Sequence, residues 1–181
     1  MTNSKLFDEI RYFQRYELHE EALEIAQQAK VDELNILEKV RLYKLMTLSY
    51  RKIGAINQAF ICINKAITII KKEKKIRNDS SLDKELAICL MNKGVIYDSE
   101  RSFNHACSTY REAIAIFRTI YDLDNETMSN ALLNYGEALF NAGFQEKAMF
   151  TLYEARSLIR DSDNPKINYI DDLINKIKGE K

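Results

Sequence analysis

The sequence predicts an all-α protein assembled from repeated pairs of antiparallel helices. Its 181 residues contain one Pro and five Gly, so residues that break helices are scarce. A pattern of small residues also recurs four times along the chain, at spacings that suit helices. The length is enough for one domain with a substantial core and too short to promise two independent domains.

The repeated feature is a pair of alanines seven residues apart. Such alanines lie on nearly the same face of a helix, and their small side chains let a neighbouring helix approach closely. Twelve residues before the first alanine stands a position that is small in three of the copies, and an aromatic residue or Leu follows three residues later. The alanine pairs are Ala22 and Ala29, Ala59 and Ala66, Ala106 and Ala113, and Ala148 and Ala155; the earlier pairs are Ile10 and Phe13, Thr47 and Tyr50, Gly94 and Tyr97, and Gly136 and Leu139.

A chain reversal is expected between the two helices of each copy. Gly54 and Gly143 stand five residues before their alanines, where Gly can adopt the left-handed conformation that ends a helix. Glu17 and Arg101 hold the matching positions in the other two copies. Each copy is therefore predicted to be a helix, a tight turn and a second helix.

Apolar spacing and capping residues predict nine helices. The ninth begins at Asn164 and Pro165, because Asn caps helices well and Pro suits the first helical position. Its apolar residues form a stripe on one side only, as expected of a helix that caps a stack. That stripe is Ile167, Ile170, Leu173, Ile174 and Ile177, and the eight earlier helices are placed at 4–15, 18–30, 33–53, 56–76, 82–100, 103–121, 126–142 and 145–160.

The spacing of Gly94, Tyr97, Ala106 and Ala113 resembles the tetratricopeptide repeat, and the fourth copy repeats it. The first alanines are separated by 37, 47 and 42 residues. The 42-residue spacing is similar to the long variant found in kinesin light chains and many bacterial proteins. Long-helix repeats of this kind also occur in the bacterial Rap and PlcR-type receptors for signalling peptides.

The resemblance implies a right-handed α-solenoid of about four antiparallel helix pairs followed by a C-terminal capping helix. The repeat array is expected over 1–163 and the capping helix with its tail over 164–181. The four copies are expected at about 4–32, 33–78, 80–122 and 125–161.

In such a solenoid the first helix of each pair lines a concave groove. On the helix predicted at 33–53, one stripe faces this groove, and the third and fourth copies have counterparts. The stripes are Arg41, Lys44, Leu48 and Arg51, then Ile88, Met91, Val95 and Asp98, then Asn130, Leu133, Glu137 and Phe140.

Asn92 and Asn134 occupy equivalent positions, each two residues before the small residue of its copy. An Asn amide offers both donors and an acceptor, so it can pair with a peptide backbone without reading side chains. The resemblance implies that both contact a bound peptide, because an Asn at this place often does so in the tetratricopeptide family. The alternative is that they are polar residues on a solvated surface.

These residues together predict a peptide-binding site. The asparagines pair with the peptide backbone, apolar residues meet its side chains and cations meet a carboxylate. The alternatives are an ordinary charged helix face for the cations and packing between repeats for the apolar residues. The predicted site residues are Asn92, Asn134, Arg41, Lys44, Arg51, Met91, Val95, Leu133 and Phe140.

Charge and hydropathy argue against nucleic-acid and membrane partners. Lys plus Arg and Asp plus Glu number 27 each, so no net field gathers polyanions. The run KKEKKIR at 71–77 has no interleaved aromatic residues and is expected to be a solvated helix end. The most apolar stretch is interrupted by Lys65, and the start lacks the apolar centre of a signal peptide. We expect a cytoplasmic protein, as a monomer or homodimer.

No motif in the sequence predicts an enzyme. It contains no Gly-rich phosphate loop, G-x-S-x-G turn or H-E-x-x-H pair, and His19 and His105 are expected on outward helix faces. Cys62, Cys89 and Cys107 are odd in number and far apart, so they are expected to be buried free thiols. We therefore expect no catalytic residue, metal or cofactor.

The expected function is a non-catalytic protein–protein interaction module that binds a short peptide segment of a partner in the groove. The alternative is a regulatory domain of the Rap or PlcR type, whose groove closes on a free oligopeptide and changes conformation or dimerisation. An RNA-reading helical repeat needs a near-constant period, and the spacings of 37, 47 and 42 residues argue against it.

Overall fold

The computed structural model describes residues 3–77, 80–160 and 163–179. Over these residues the chain forms nine α-helices and two short 3-10 helices, without a strand, which confirms the all-α fold class. The α-helices are α1 (Asn3–Arg15), α2 (His19–Gln27), α3 (Ile36–Lys52), α4 (Ile56–Arg77), α5 (Asp83–Ser99), α6 (Phe103–Phe117), α7 (Asn125–Asn141), α8 (Gln145–Ser157) and α9 (Pro165–Lys178). The predicted repeat ends at 78 and 161, and the last two residues of the predicted tail, lie outside the described residues.

The chain divides into two compact units, Met1–Ile96 and Tyr97–Lys181, with the boundary inside α5. In the first unit α1 packs against α2, and α3 packs against both α2 and α4. In the second unit α7 packs against α6 and α8, and α9 packs against α8 and α7. Antiparallel neighbours joined by short turns are thus the building element of both units.

The first alanine of every copy is fully buried, at Ala22, Ala59, Ala106 and Ala148. The second alanine is fully buried in copies two, three and four, as the pattern predicts. Copy one differs, because α2 ends at Gln27 and leaves the half-buried Ala29 beyond the helix. The small residues therefore lie in the buried contacts between helices in three of the copies, which suits close helix packing.

Gly136 illustrates how close this approach is. A Cβ atom at Gly136 would lie 2.8 Å from Cγ of Leu152, whose side chain is fully buried on α8. Because Leu152 is fully buried in a packed interior, Gly is the residue that lets α7 and α8 pack at this distance.

All four predicted turns are closed by the same Schellman motif. Gly54 and Gly143 have φ of 78° and 86°, and Glu17 and Arg101 adopt the same left-handed conformation with φ of 59° and 56°. In each turn the amide of the next residue donates to the carbonyl five residues earlier, which belongs to the repeated aromatic or Leu position. These bonds run from Leu18 to Phe13 (2.9 Å), Ala55 to Tyr50 (2.8 Å), Ser102 to Tyr97 (2.9 Å) and Phe144 to Leu139 (2.8 Å).

Several predicted helix ends are wrong by three or four residues, and the hydrogen bonds explain why. Helices α2, α6 and α8 end early because their last carbonyls accept amides three residues on rather than four, so the final turn tightens. Helix α3 begins at Ile36 rather than 33 because Asn35 caps it. The Asn35 Oδ1 atom accepts from the Glu38 amide at 3.0 Å, and Glu38 Oε2 accepts from the Asn35 amide at 2.9 Å.

Helix α9 begins as the sequence predicts, with Asn164 Oδ1 accepting from the Lys166 amide at 3.0 Å and Pro165 at the first position. Ile170 and Ile174 of the apolar stripe are buried, and the other three stripe residues are half-buried. Arg156 of α8 contacts both carboxylate oxygens of Asp171, at 2.5 and 3.0 Å. This helix therefore covers apolar surface of the second unit.

Replacing Arg101 with Gly should stabilise the protein, because a side chain in the left-handed conformation costs about 1 kcal/mol that Gly avoids. We expect the free energy of unfolding in urea to rise by about that amount. Arg101→Ala removes the same charge but keeps Cβ, so it should bring no gain, while Gly143→Ala should lower stability. Equal stability of the Gly and Ala variants would contradict this account of the turn.

Replacing Ile170 with Ala should lower the free energy of unfolding by about 2–5 kcal/mol, because it leaves a cavity under α9. Asp172→Ala, on an exposed position of the same helix, is the matched control and should change stability by less than about 0.5 kcal/mol. Thermal unfolding followed by circular dichroism measures both. An unchanged melting temperature for Ile170→Ala would mean that α9 contributes nothing to the second unit.

Candidate peptide-binding groove

A groove of about 340 Å³ lies in the first unit between α3 and α5. Four of the predicted site residues line it, namely Lys44, Arg51, Asn92 and Val95. The sequence also predicts Leu48 and Ile88 on the groove-facing stripes. The other residues that line the groove are Leu45, Thr47, Leu48 and Ile88.

Leu45 is a lining residue that the sequence analysis missed. Leu45 stands two residues before Thr47, as Asn92 stands two residues before Gly94. Aligning the repeats would therefore have placed Leu45 in the groove. The Gln14 Nε2 atom donates to the Leu45 carbonyl at 2.7 Å, and the Thr47 hydroxyl donates to the Tyr43 carbonyl at 2.7 Å. These polar groups are therefore already satisfied beneath an apolar wall.

The three predicted cations differ in what they contact. Lys44 Nζ lies 2.5 Å from Glu85 Oε2, with the two side chains 21% and 32% exposed. The Arg41 guanidinium carbon lies 4.6 Å from the centre of the Phe7 ring, outside the groove lining. Arg51 is half-buried and has no side-chain partner among the residues that the structure describes. Only Arg51 is thus an unengaged cation of the three.

Asn92 lies in the groove wall with its amide available. The side chain is half-buried and makes no hydrogen bond to any part of the chain that the structure describes. Around it, Leu48 is 37% exposed and Ile88 and Val95 are half-buried. Met91, another predicted site residue, is half-buried on α5 but is not part of the lining.

In the second unit, α9 lies along the face of α7 that was predicted to be open. Lys176 Nζ lies 5.5 Å from the centre of the Phe140 ring, and the Tyr169 hydroxyl donates to Glu137. Leu133 is only 9% exposed. Leu133 is therefore largely buried and the half-buried Phe140 contacts Lys176 of α9, while the role of both residues in peptide binding stays a prediction.

Asn134 remains accessible in the second unit. It is half-buried, and its side chain has no hydrogen-bond partner within the described ranges. Asn134 and Asn92, which the repeat predicts to be equivalent, are thus alike in being half-buried with a side-chain amide that is unpaired among the described residues.

Asp98 is a half-buried carboxylate in the second unit. The Tyr110 hydroxyl donates to Asp98 Oδ2 at 2.6 Å, while the buried Oδ1 atom has no partner in the described part of the chain. Burial raises the pKa of Asp98, the Tyr110 hydrogen bond opposes this rise and the charge of Glu137 adds to it. The ionised form of Asp98 is therefore disfavoured by the fold.

The prediction for His19 is wrong, because this side chain is buried at 8% exposure. Residues three and four positions apart share a helix face, and His19 precedes the buried Ala22 and Leu23 by those intervals. His105 is exposed as predicted, with its ring stacked on that of Tyr97 at 5.2 Å.

The three cysteines are buried and free, which confirms that prediction. Burial raises the pKa of Cys89 to about 12 and that of Cys107 to about 11, and it also raises the pKa of Cys62. Thiols held in this state are poor nucleophiles. Among the described residues no cluster of three His, Cys, Asp or Glu side chains is placed to hold a metal ion.

Over the described residues, no helix combines the length and the apolar character that crossing a bilayer requires. No protein-family model matches the chain, and no curated protein matches it.

Solved structures do match. BtubC (BKLC) from P. vanneervenii aligns with a TM-score of 0.68 at 18% identity, over 95% of this chain and 67% of that one. The apo form of RapI aligns with a TM-score of 0.79 at 13% identity, over 96% of this chain and 47% of RapI, so this chain spans about half of RapI. The N-terminal domain of stress-induced protein-1 from C. elegans aligns with a TM-score of 0.60 at 15% identity, over 81% and 99% of the two chains.

These neighbours define the class of fold. All three are tetratricopeptide-like helical repeat structures, so the fold of this chain is tetratricopeptide-like. At such identities the similarity concerns the fold, and the function has to be argued from the groove itself.

The raised pKa of Asp98 predicts how its replacement depends on pH. Between the ordinary value of 3.8 and the raised folded value, the folded state holds more protons than the unfolded state. Stability is therefore lost as pH rises through that window. Asp98→Asn, measured against wild type by urea unfolding, should be relatively more stable at about pH 7 than at about pH 4.

The control for this comparison is Asn175→Ala, which changes no titratable group and lies at an exposed position on α9. Its stability difference from wild type should be nearly the same at both pH values. If Asp98→Asn also shows no pH-dependent difference, the carboxyl of Asp98 is not held toward its neutral form.

Proposed function

We propose that this protein is a non-catalytic interaction module that binds a short peptide segment of a partner protein in the groove between α3 and α5. The observation that carries the proposal is the unpaired amide of Asn92 within an apolar wall. A half-buried amide without a partner gains most from a ligand that supplies both a donor and an acceptor. A peptide backbone supplies both.

The apolar wall supplies the remaining binding energy. Leu45, Leu48, Ile88 and Val95 lie on two helices that face each other across the groove. An apolar side chain of the bound segment would remove their exposed surface from water, at about 25 cal/mol per Å² of area buried. The groove therefore suits a segment with one or two apolar side chains, held along its backbone by Asn92.

We propose the same backbone-pairing role for Asn134 in the second unit, where its amide is also unpaired over the described residues. The apolar contacts there are reduced, because α9 packs along α7 at Phe140 and Glu137. The two asparagines are thus proposed to contribute by the same chemistry and to different extents.

Two observations support a non-catalytic role and a reducing compartment. The thiols of Cys89 and Cys107 are buried, with pKa values raised to about 12 and about 11, so neither is ionised at neutral pH. All three cysteines are free, as is usual in the cytoplasm, which is the location we propose.

We propose a monomer or a homodimer, and the mass from small-angle scattering distinguishes the two.

The test starts from peptides selected on the wild-type protein from a displayed library of random short sequences, with dissociation constants measured by fluorescence anisotropy. Asn92→Ala should weaken the selected peptides about five- to a hundredfold, because the backbone loses a partly buried hydrogen-bond partner. Asn64→Ala is the matched control, since Asn64 is exposed on α4 of the same unit and outside this groove. It should leave affinity unchanged.

Circular dichroism and urea unfolding show whether both variants keep the wild-type fold. If the library yields no binders, or if binders tolerate Asn92→Ala as well as they tolerate Asn64→Ala, the groove is not the site. A change of scattering mass or radius on adding a selected peptide would favour the receptor alternative, in which the peptide changes dimerisation or conformation.

A further inference from the structure

Lys44 in the lining of the groove between α3 and α5 is already paired with a carboxylate of the chain itself, that of Glu85. Glu85 stands in the first turn of α5, where the helix dipole favours a negative charge. Its Oε2 atom lies 2.5 Å from Nζ of Lys44, across from α5 to α3. With side chains 21% and 32% exposed, this pair is more shielded from solvent than an ordinary surface ion pair.

Arg51, the other cation that lines the groove, is not paired with a carboxylate among the described residues. Arg51 lies two helical turns beyond Lys44 on α3, lines the same groove and has no side-chain partner within residues 3–77, 80–160 and 163–179. Its guanidinium is suited to two parallel hydrogen bonds with a carboxylate. One cation of the groove is thus occupied from within and the other is open.

Resting on the proposed peptide-binding function, we propose that Glu85 is a specificity-determining residue that occupies Lys44 and restricts the groove to segments with one acidic side chain. That side chain pairs with Arg51, next to an apolar residue on the wall. A second carboxylate directed at Lys44 meets the negative charge of Glu85 and must displace it, so diacidic segments gain nothing there.

The helix geometry sets where the excluded carboxylate would lie. Lys44 and Arg51 are seven residues apart on α3, a rise of about 10 Å along the axis. An extended chain advances about 3.3 Å per residue, so the two acidic residues of a bound segment would be about three positions apart. In a helical segment the same distance corresponds to about seven positions.

Glu85→Gln is therefore expected to open a second carboxylate subsite. The amide keeps the size of the side chain but no longer neutralises Lys44. Peptides selected on this variant from the displayed library should carry a second Asp or Glu at the spacing given above. They should bind Glu85→Gln about three- to tenfold more tightly than wild type, while singly acidic peptides bind both equally.

Three further proteins complete the test. Arg51→Gln should lose the enrichment for acidic residues and bind singly acidic peptides about three- to tenfold more weakly. Glu85→Gln combined with Lys44→Gln should return to the wild-type preference for one acidic residue. Arg111→Gln is the control, because Arg111 is exposed on α6 of the second unit and its loss should change neither preference nor affinity.

The outcomes separate this inference from the function on which it rests. If selected peptides depend on Asn92 but show no acidic preference, or if Glu85→Gln selects the same peptides as wild type, Glu85 does not set specificity and the groove function stands. If wild type already prefers two acidic residues at the stated spacing, the inference is equally wrong. If no selected peptide depends on Asn92, the groove function fails and this inference fails with it.

Discussion

The close approach of helices at buried small residues is the constraint on which the rest of the structure depends. Seven of the eight repeated alanines are fully buried, and Gly136 leaves no room for a Cβ beside Leu152. Packing at this distance fixes the rotation of each helix, and the rotation decides which residues point away from the contact. The side chains of α3 and α5 that line the groove are among those that point away from these helix contacts.

Periodicity and turn chemistry were enough to predict the helices and the four reversals. The Schellman turns formed at Glu17 and Arg101 as well as at Gly54 and Gly143, because the hydrogen bonds and helix packing outweigh the cost of a side chain at positive φ. Helix ends were less predictable. Whether a last carbonyl accepts from the third or the fourth following residue depends on packing that a single sequence does not encode locally.

The sequence predicted most of the residues that line the groove, but not which of them already have a partner in the folded chain. The repeat alignment placed Lys44, Arg51, Asn92 and Val95 on groove-facing positions, and these four line one groove. It carried no information on which cation is engaged, since Glu85 lies 41 residues from Lys44. The contact of Lys176 with Phe140 could not be predicted either, because long-range contacts follow from the fold and not from local spacing.

Helix α9 also limits how this architecture can grow. Ile170 and Ile174 are buried in the second unit, and side chains of α9 contact α7 at Glu137 and Phe140. A further helix pair stacked on α7 and α8 needs the surface that α9 now occupies. The outward side of α9 carries the exposed Asp172, Asn175 and Lys176, so it does not offer incoming helices the apolar surface that α9 itself covers.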